Sequence, residues 1–341
     1  GQEPVAIIPE SLADSIRSHV STTWRVVSPS AATADDFKNA VALVSDPRRP
    51  MAELEAALQK MPAGRLLQIP MTGTERVNLS DVPERFTVCN VHNAAVAISE
   101  YVLAAMLSWN VQLPGMDAEF RRCTWQQGAS DCQPRPFHQQ SKGQTVGIIG
   151  YGTLGSAVAE RAAALGMRAI AVTVPSPAVA PPPLAWIGND TMLPRLMQEA
   201  DFVVVMCPLL PSTRGLVDAK AIGSMKPSGV LINVARGPIV DEAALYQALE
   251  KRSIGGAVLD VWWHEDWFAH GSGPSSWPSM YNFSALPNVW MTPHQSYYTG
   301  GTMQEGVKQM AANFDALARG QPLQNVVRPG LPGSAGMATV I

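Results

Sequence analysis

The sequence predicts an α/β protein built from two doubly wound parallel-sheet domains. Three observations lead to this prediction: the length of 341 residues, the alternation of short apolar runs with helical patterns, and a glycine motif placed between a predicted strand and a predicted helix. A single hydrophobic core seldom grows beyond about 250–300 residues, so the length favours two domains. Strands that alternate with helices are joined by crossovers, which make the sheets parallel.

The first sheet is predicted from a series of apolar, β-branched runs in the first third of the chain. Helical patterns separate these runs, which is typical of a parallel sheet covered by helices. The predicted strands are Val5–Pro9, Trp24–Ser28, Val41–Ser45, Leu66–Ile69 and Phe86–Cys89. The apolar stretch that follows, 94–109, is interrupted by Glu100 and is too short to cross a bilayer, so it predicts a buried helix.

A second series of apolar runs predicts the other sheet. Its strands are Val146–Gly150, Ala169–Val174, Phe202–Cys207, Val230–Val234, Ala257–Val261 and Val289–Thr292. Between the two series, residues 114–142 are polar and predict a connector or an oligomerisation arm. A last helix is predicted over Thr302–Arg319, because glycines stand before and after it. The Gly- and Pro-rich tail from Arg328 is expected to fray.

Composition and charge exclude several functional classes. The net charge of −3 does not fit the basic surface of a nucleic-acid-binding protein, and no segment has the length and apolarity of a membrane span. The cysteines form no CxxC pair, so we expect reduced thiols in a cytoplasmic protein, with a Cys123–Cys132 disulfide as the alternative. The chain begins at Gly1 rather than Met, which leaves a removed targeting segment as an alternative.

The glycine motif GxGxxG is formed by Gly150, Gly152 and Gly155. It follows the apolar run that ends at Ile149 and precedes a helical run from Leu154. In this context the first glycine permits a tight turn, the second lets a pyrophosphate approach the backbone, and the third allows close helix packing. The motif predicts a Rossmann dinucleotide-binding domain, while an ordinary glycine turn is the alternative.

The choice between NAD and NADP stays open at the end of the next strand. An acidic residue is expected about 20 residues after the motif, where it would bind the ribose 2′-hydroxyl, and Thr173 stands there instead. A neutral hydroxyl does not repel a 2′-phosphate. However, no nearby Arg or Lys supplies the attraction that NADP binding usually uses.

Chemically active residues follow three later strands. Arg236 follows the fourth strand of the second series, Asp260 and Glu265 follow the fifth, and His294 follows Pro293 after the sixth. The carboxyl ends of parallel strands share one edge of the sheet, so we expect these side chains to converge.

These stretches identify a family resemblance that covers nearly the whole chain. The matching segments are VGIIGYGTLG, PLLPSTRGLV, MKPSGVLINVARGPIVDEAAL, GGAVLDVWWHE and PNVWMTPH. They resemble the D-isomer-specific 2-hydroxyacid dehydrogenases. The resemblance implies a Rossmann NAD(P)-binding domain, 113–298, inserted in a flavodoxin-like substrate domain, 1–112 and 299–330, followed by a flexible tail, 331–341.

The resemblance also implies a catalytic triad. Arg236 would bind the carboxylate of a 2-oxo acid and polarise its carbonyl, His294 would act as acid and base, and Glu265 would pair with the imidazole. Hydride reduction of a ketone leaves an alkoxide that needs a proton, and a histidine can donate it. A neighbouring carboxylate favours the imidazolium, and the fork of Arg matches a carboxylate.

Further contacts are implied by the same resemblance. The expected cofactor contacts are Gly150, Gly152, Thr153, Leu154, Gly155, Thr173, Cys207, Pro208, Thr213, Val234, Ala235, Arg236, Asp260 and His294. The expected substrate contacts are the loop of Thr72, Gly73 and Thr74, together with Arg236 and His294. For Asp260, a cap at the strand end is the alternative to a contact with the nicotinamide carboxamide.

The predicted function is interconversion of a 2-oxo acid and its D-2-hydroxy acid, similar to glyoxylate/hydroxypyruvate reductases. A phosphite dehydrogenase and a non-catalytic dinucleotide-sensing corepressor of the same fold are the alternatives. We expect no metal site, although His264, Glu265, Asp266 and His270 lie close in sequence. The resemblance implies a homodimer through the Rossmann domain and the arm 114–142. The aromatic loop 262–287 is expected either to wall the pocket or to pack against the body.

Overall fold

The computed structural model describes residues 3–123, 125–126, 129–130, 137–265 and 278–331. These residues form two compact units, one of 3–94 with 298–331 and the other of 95–265 with 278–297. The helix 95–111 falls in the second unit, where it packs against the helix of the glycine motif. The domain boundaries expected from the sequence, 1–112, 113–298 and 299–330, stay predictions.

The first part of the chain alternates strands with helices. Its elements are β1 (Val5–Ile7), α1 (Glu10–Arg17), β2 (Arg25–Val27), α2 (Ala34–Asn39), β3 (Ala40–Val44), α3 (Met51–Gln59), β4 (Leu66–Gln68), β5 (Thr87–Cys89), α4 (Ala95–Val111), α5 (Leu113–Phe120), β6 (Trp125–Gln126) and β7 (Ala129–Ser130). The last three of these lie in the segment 114–142 or at its border, and β6 and β7 pair as an antiparallel hairpin.

The rest of the chain continues the alternation. Its elements are β8 (Thr145–Ile149), α6 (Thr153–Ala164), β9 (Arg168–Val172), β10 (Leu184–Gly188), α7 (Leu193–Glu199), β11 (Phe202–Val205), α8 (Ala219–Gly223), β12 (Val230–Asn233), α9 (Glu242–Glu250), β13 (Gly256–Leu259), β14 (Val289–Met291), α10 (Gly300–Ala318) and β15 (Val326–Arg328).

The strand orders confirm the predicted fold class. In the first unit the parallel strands follow the order β5–β4–β3–β1–β2, which is that of flavodoxin-like sheets, and β15 is added to β5 antiparallel. In the second unit the parallel order is β10–β9–β8–β11–β12–β13–β14, which reverses direction between β8 and β11. Ligands bind doubly wound sheets at such a reversal, outside the carboxyl ends of the strands.

All strands predicted from the sequence are observed, and four further strands, β6, β7, β10 and β15, were not predicted. The expectation that the tail frays from Arg328 is wrong for Arg328 itself, because its guanidinium donates to main-chain carbonyls of the segment 79–86. The flexible tail predicted over 331–341 lies outside the described residues except for residue 331.

Each unit has its own hydrophobic core. In the second unit the central strands are buried on both faces, as Ile149, Val203 and Leu231 illustrate with at most 1% of their surface exposed. In the first unit Leu66 and Phe86 are fully buried. Strands that are buried on both faces give continuous apolar runs, and for this reason the sequence pattern located them.

The cysteines differ from one another. Cys89 and Cys207 are buried free thiols, and burial raises the pKa of Cys89 to about 12 and that of Cys207 to about 11. Cys123 is disulfide-bonded, so the expectation that all cysteines are reduced is wrong at this position. Cys132, its predicted alternative partner, lies outside the described residues. Within the described parts of the chain, no helix is long and apolar enough to cross a membrane.

Candidate active site

The glycine motif lies where β8 meets α6, at the reversal of the strand order. Gly150 has a φ of +100°, and a Cβ added there would lie 2.5 Å from the backbone nitrogen of Cys207. A Cβ at Gly155 would lie 2.4 Å from the carbonyl oxygen of Gly150, whereas Gly152 faces open space. Two glycines thus permit tight packing, and the third leaves its backbone accessible, which fits the pyrophosphate of a dinucleotide.

The other predicted cofactor residues end up at the same edge of this sheet. Thr153 and Leu154 open α6, and no side chain caps the start of that helix. The remaining residues follow the carboxyl ends of β9, β11, β12 and β13: Thr173, Cys207, Pro208, Thr213, Val234, Ala235 and Asp260. The Thr213 hydroxyl donates a hydrogen bond to the Pro208 carbonyl at 2.6 Å, which closes the loop after β11.

His294 and Glu265 form a direct pair. The distance between His294 Nδ1 and Glu265 Oε2 is 2.6 Å, and each side chain is only 16% exposed. The other carboxylate oxygen of Glu265 accepts the backbone N–H of Trp262 at 2.7 Å. Because the carboxylate accepts at Nδ1, Nε2 is the imidazole nitrogen that faces away from this bond and is suited to proton transfer.

Arg236 follows β12 and is half-buried. The Asn233 side chain accepts from the Ala235 N–H and donates to the Arg236 carbonyl, at 3.1 and 3.0 Å, which fixes the turn. A Cβ at the next residue, Gly237, would lie 2.2 Å from the backbone of Trp262. The structure therefore packs the backbone beside Arg236 against the segment that carries Glu265.

Asp260 ends β13 and is fully buried. Its Oδ1 accepts from the Thr292 hydroxyl at 2.5 Å and from the Gln295 N–H at 2.8 Å, and its Oδ2 accepts from the Ser296 N–H at 2.9 Å. These bonds are those of a cap that holds the loop after β14, the alternative that the sequence left open. A contact of Asp260 with a carboxamide stays a prediction.

Three residues that support the His294–Glu265 pair were not predicted from the sequence. Trp262 links the segment that carries Glu265 to the segment that carries His294. Its backbone N–H donates to Glu265, and its indole N–H donates to the Thr292 carbonyl at 3.0 Å. The Tyr101 hydroxyl lies 2.7 Å from Thr292 Oγ1. Thr292 stands directly before the Pro–His step, which is the one local signal that could have drawn attention to it.

The predicted substrate loop belongs to the first unit. The Thr72 carbonyl accepts from the side-chain amide of Asn90 at 2.7 Å, and the Thr74 carbonyl accepts from the Val77 N–H at 2.9 Å. A cavity of about 280 Å³ adjoins Gly73. Its lining is largely apolar and includes Met51, Leu54, Ile69, Met71, Arg49 and Arg76.

The described part of the aromatic loop packs inward. Phe283 is fully buried and stacks on Trp263 with ring centroids 5.4 Å apart, and Tyr281 stacks on Tyr246 at 5.0 Å. For these residues the structure shows packing against the body of the second unit. Trp267, Phe268 and Trp277, and also Asp266 and His270, lie outside the described residues.

Comparison with known proteins finds relatives that are similar over most of this chain. The family model for the D-isomer-specific 2-hydroxyacid dehydrogenase NAD-binding domain matches residues 103–296. A glycerate dehydrogenase from Methylorubrum extorquens is 33% identical over 275 residues, which is 79% of this chain and 81% of that protein. A D-3-phosphoglycerate dehydrogenase from Mycobacterium tuberculosis is 31% identical over 71% of this chain, which spans only 41% of that longer protein.

Solved structures are similar over almost the whole chain. A D-isomer-specific 2-hydroxyacid dehydrogenase from Lactobacillus delbrueckii, in its NAD-complexed form, has a TM-score of 0.73 at 25% identity, covering 95% of this chain and 99% of that one. An NADPH-dependent glyoxylate/hydroxypyruvate reductase from Sinorhizobium meliloti has a TM-score of 0.72 at 22% identity, with 100% of both chains covered. The second likeness shows the shared fold.

Proposed function

Because this chain belongs to the D-isomer-specific 2-hydroxyacid dehydrogenase family and is thus an NAD(P)-dependent oxidoreductase, we propose that it interconverts a small 2-oxo acid and its D-2-hydroxy acid. The 2.6 Å pair of His294 and Glu265 carries this proposal. It supplies a proton donor, held by a carboxylate, at the edge of the sheet that also carries the glycine motif.

Three residues of this chain have distinct roles in the proposed reaction. NAD(P)H supplies the hydride when it is bound. His294 donates a proton from Nε2 to the oxygen of the reduced carbonyl, and in the reverse direction it accepts that proton. Glu265 orients the imidazole through Nδ1 and stabilises its protonated form. Arg236 binds the carboxylate of the oxo acid through its planar fork and polarises the carbonyl.

We propose hydroxypyruvate and glyoxylate as the preferred oxo acids. The 33% identical relative is a glycerate dehydrogenase, and oxidation of glycerate at its C2 hydroxyl gives hydroxypyruvate. The loop of Thr72, Gly73 and Thr74 is the proposed contact for the substrate carboxylate in the first unit. Because the cavity beside Gly73 is largely apolar, larger apolar oxo acids belong in any test of this proposal.

Either nicotinamide cofactor suits the proposal. The segment after β9 offers Thr173 in place of an acid, so it carries no charge that would repel a 2′-phosphate. We also propose a homodimer formed through the second unit and the arm 114–142, which sedimentation of the intact protein would test. The cytoplasmic location expected from the sequence stays a prediction.

The substrate assignment is tested by a panel assay. Oxidation of NADH and of NADPH is followed by absorbance with glyoxylate, hydroxypyruvate, pyruvate, phenylpyruvate and a branched oxo acid, and reduction of NAD and NADP is followed with phosphite. Hydroxypyruvate or glyoxylate should give the largest kcat/KM. A larger value for phosphite would overturn the proposal, and no turnover with any compound would favour the non-catalytic sensor.

The role of His294 is tested with His294→Ala. We expect kcat for the best oxo acid to fall by about 10²-fold to 10⁴-fold, because the alkoxide loses its proton donor. NADH binding, measured by fluorescence titration, should stay within about twofold of the wild type. Replacement of His19, an exposed histidine outside the proposed site and the proposed dimer arm, by Ala is the control and should leave kcat unchanged. Near-normal turnover in His294→Ala would remove this residue as acid and base.

A further inference from the structure

A chain of hydrogen bonds runs from α4 to the loop that carries His294. The Tyr101 hydroxyl lies 2.7 Å from the Thr292 hydroxyl, which lies 2.5 Å from Asp260 Oδ1. The carboxylate then accepts the backbone N–H groups of Gln295 and Ser296, the residues that follow His294. All of these groups belong to the second unit.

The donor and the acceptor of each hydrogen bond in this series follow from counting hydrogens. A carboxylate only accepts hydrogen bonds, so the single hydrogen of the Thr292 hydroxyl points to Asp260. The Tyr101 hydroxyl must therefore donate to the lone pairs of Thr292. Burial, together with the nearby charge of Asp260, raises the pKa of Tyr101 to about 12. Tyr101 thus keeps its proton over the whole range in which the protein is assayed.

The loop needs such an anchor because His294 is strained. His294 has a φ of +54°, in the left-handed region that residues other than glycine rarely adopt. A conformation of this kind persists only when its surroundings hold it in place. Here the Asp260 carbonyl accepts the His294 N–H at 2.8 Å, and the Asp260 carboxylate accepts the next two N–H groups. Asp260 therefore holds the turn by both its main chain and its side chain.

We infer that Tyr101 and Thr292 are positioning residues that act through Asp260 to hold the His294 imidazole in line with Glu265. The inference rests on the proposed role of His294 but not on the identity of the substrate. Charge-assisted hydrogen bonds fix the position of the Asp260 carboxylate. That carboxylate in turn fixes the backbone next to the His294 imidazole. A shift of about 1 Å in a catalytic group can cost about 10²-fold in rate, so the anchor matters for kcat.

The inference is tested with Thr292→Val and Tyr101→Phe, each of which removes one hydroxyl and keeps the shape of the side chain. We expect kcat to fall by about 10-fold to 100-fold in Thr292→Val, which breaks the bond to the carboxylate, and by about 3-fold to 10-fold in Tyr101→Phe. KM and NADH affinity should change by less than about threefold. Thr292→Ser keeps the hydroxyl and should restore most of kcat.

A spectroscopic measurement separates positioning from a general loss of structure. The proton on His294 Nδ1, hydrogen-bonded to Glu265, should give a downfield proton resonance in the free protein that disappears in His294→Ala. We expect this resonance to shift or broaden in Thr292→Val and to return in Thr292→Ser. The control Tyr246→Phe removes a tyrosine hydroxyl from α9 of the same unit and should leave both the resonance and kcat unchanged.

The outcomes decide the inference independently of the substrate. An unchanged resonance together with an unchanged kcat in Thr292→Val and Tyr101→Phe would overturn it, even if the wild type reduces hydroxypyruvate. A shifted resonance would support it even if the preferred oxo acid is a different one, because the resonance is measured without substrate. If Thr292→Val fails to fold, Tyr101→Phe alone decides by the same two readouts.

Discussion

Glu265 accepts hydrogen bonds from two directions, and both limit where the His294 ring can lie. Its Oε2 binds the imidazole Nδ1 and its Oε1 binds the Trp262 N–H. Two donors that bind different oxygens fix the plane of the carboxylate and, with it, the plane of the ring. Both carboxylate oxygens of Glu265 therefore take part in positioning the His294 ring.

Glu265→Gln removes one of the two acceptor oxygens together with the charge. The single amide oxygen of Gln can accept from His294 Nδ1 or from the Trp262 N–H, but the amide nitrogen then faces the other donor. We expect kcat for oxo-acid reduction to fall by at least about 10-fold, because the imidazole loses part of the support for its position. Initial rates measure this change.

Glu250→Gln is the control for this charge change. Glu250 is the exposed last residue of α9 in the same unit, so its neutralisation changes the net charge equally and should leave kcat unchanged. If kcat of Glu265→Gln equals that of the wild type, the proposed role of Glu265 is wrong.

The sequence predicted the three residues of the proposed triad but not the side chains that support them. Arg236, Glu265 and His294 each stand a few residues beyond an apolar strand, which is a local signal. Tyr101 and Thr292 are separated by 191 positions, and neither carries a local pattern that points to the other. Hydrogen bonds between distant segments depend on the packing of α4 against the sheet, which the periodicity of one segment does not specify.

Strands buried on both faces were predictable, whereas two of the four strands at the edges of the two large sheets were not. The central strands give continuous apolar runs. By contrast β10 and β15 each form an edge of their sheet, and the side chains of β15 are only half-buried. The short apolar run at β15 is therefore too weak a signal to predict a strand. Arg328 holds this strand in place. Its guanidinium donates to the carbonyls of Leu79, Val82, Pro83 and Phe86.

Arg328→Ala should destabilise the first unit by about 2–4 kcal/mol, because partly buried carbonyls lose their donors. Arg328→Lys should recover only part of this loss, since an ammonium cannot match the planar fork. Unfolding in urea measures both values. The control is Arg49→Ala, which breaks an exposed i,i+4 ion pair with Glu53 in the same unit and should cost less than about 1 kcal/mol. Equal losses in the two Ala variants would contradict the anchoring role of Arg328.

One carboxylate links α10 to the segment before β2. Asp315 in α10 accepts the backbone N–H groups and hydroxyls of Ser21 and Thr22. Burial by itself would raise the pKa of Asp315, but these hydrogen bonds outweigh it and lower the pKa to about 2. A lowered pKa means that the stabilisation is complete above the unfolded-state pKa of about 4 and is lost as the pH falls through about 2.

Asp315→Asn should therefore lower the free energy of unfolding at pH 7 by about 1–2 kcal/mol, allowing for solvent screening. The difference from the wild type should shrink as the pH falls below about 4 and should be nearly absent near pH 2. Urea denaturation at a series of pH values measures it. Asp14→Asn, at an exposed ion pair with Arg17 in the same unit, is the control and should cost less than about 1 kcal/mol throughout. A pH-independent loss in Asp315→Asn would show that its charge is not responsible.

At the scale of the whole molecule, each unit has a complete sheet and its own core. The cores around Ile149 and Val203 in one unit, and around Leu66 and Phe86 in the other, share no residue. The glycine motif and every predicted cofactor contact lie in the second unit. A ligand stabilises only the structure that must be folded to bind it, so cofactor binding can reveal whether the two sheets unfold separately.

NADH at about 100 times its Kd should stabilise the second unit by about 2.7 kcal/mol. Since 1.4 kcal/mol corresponds to a factor of ten, the slowest amides of β8 and β11 should then exchange with deuterium about 100-fold more slowly. Amides of β4, in the core of the first unit, should exchange at an unchanged rate. Gly150→Ala removes the tight turn at φ +100° and should abolish the slowing in β8 and β11. Equal slowing of β4 and β8 would contradict separate unfolding, because it would mean that one cooperative transition exposes both sheets.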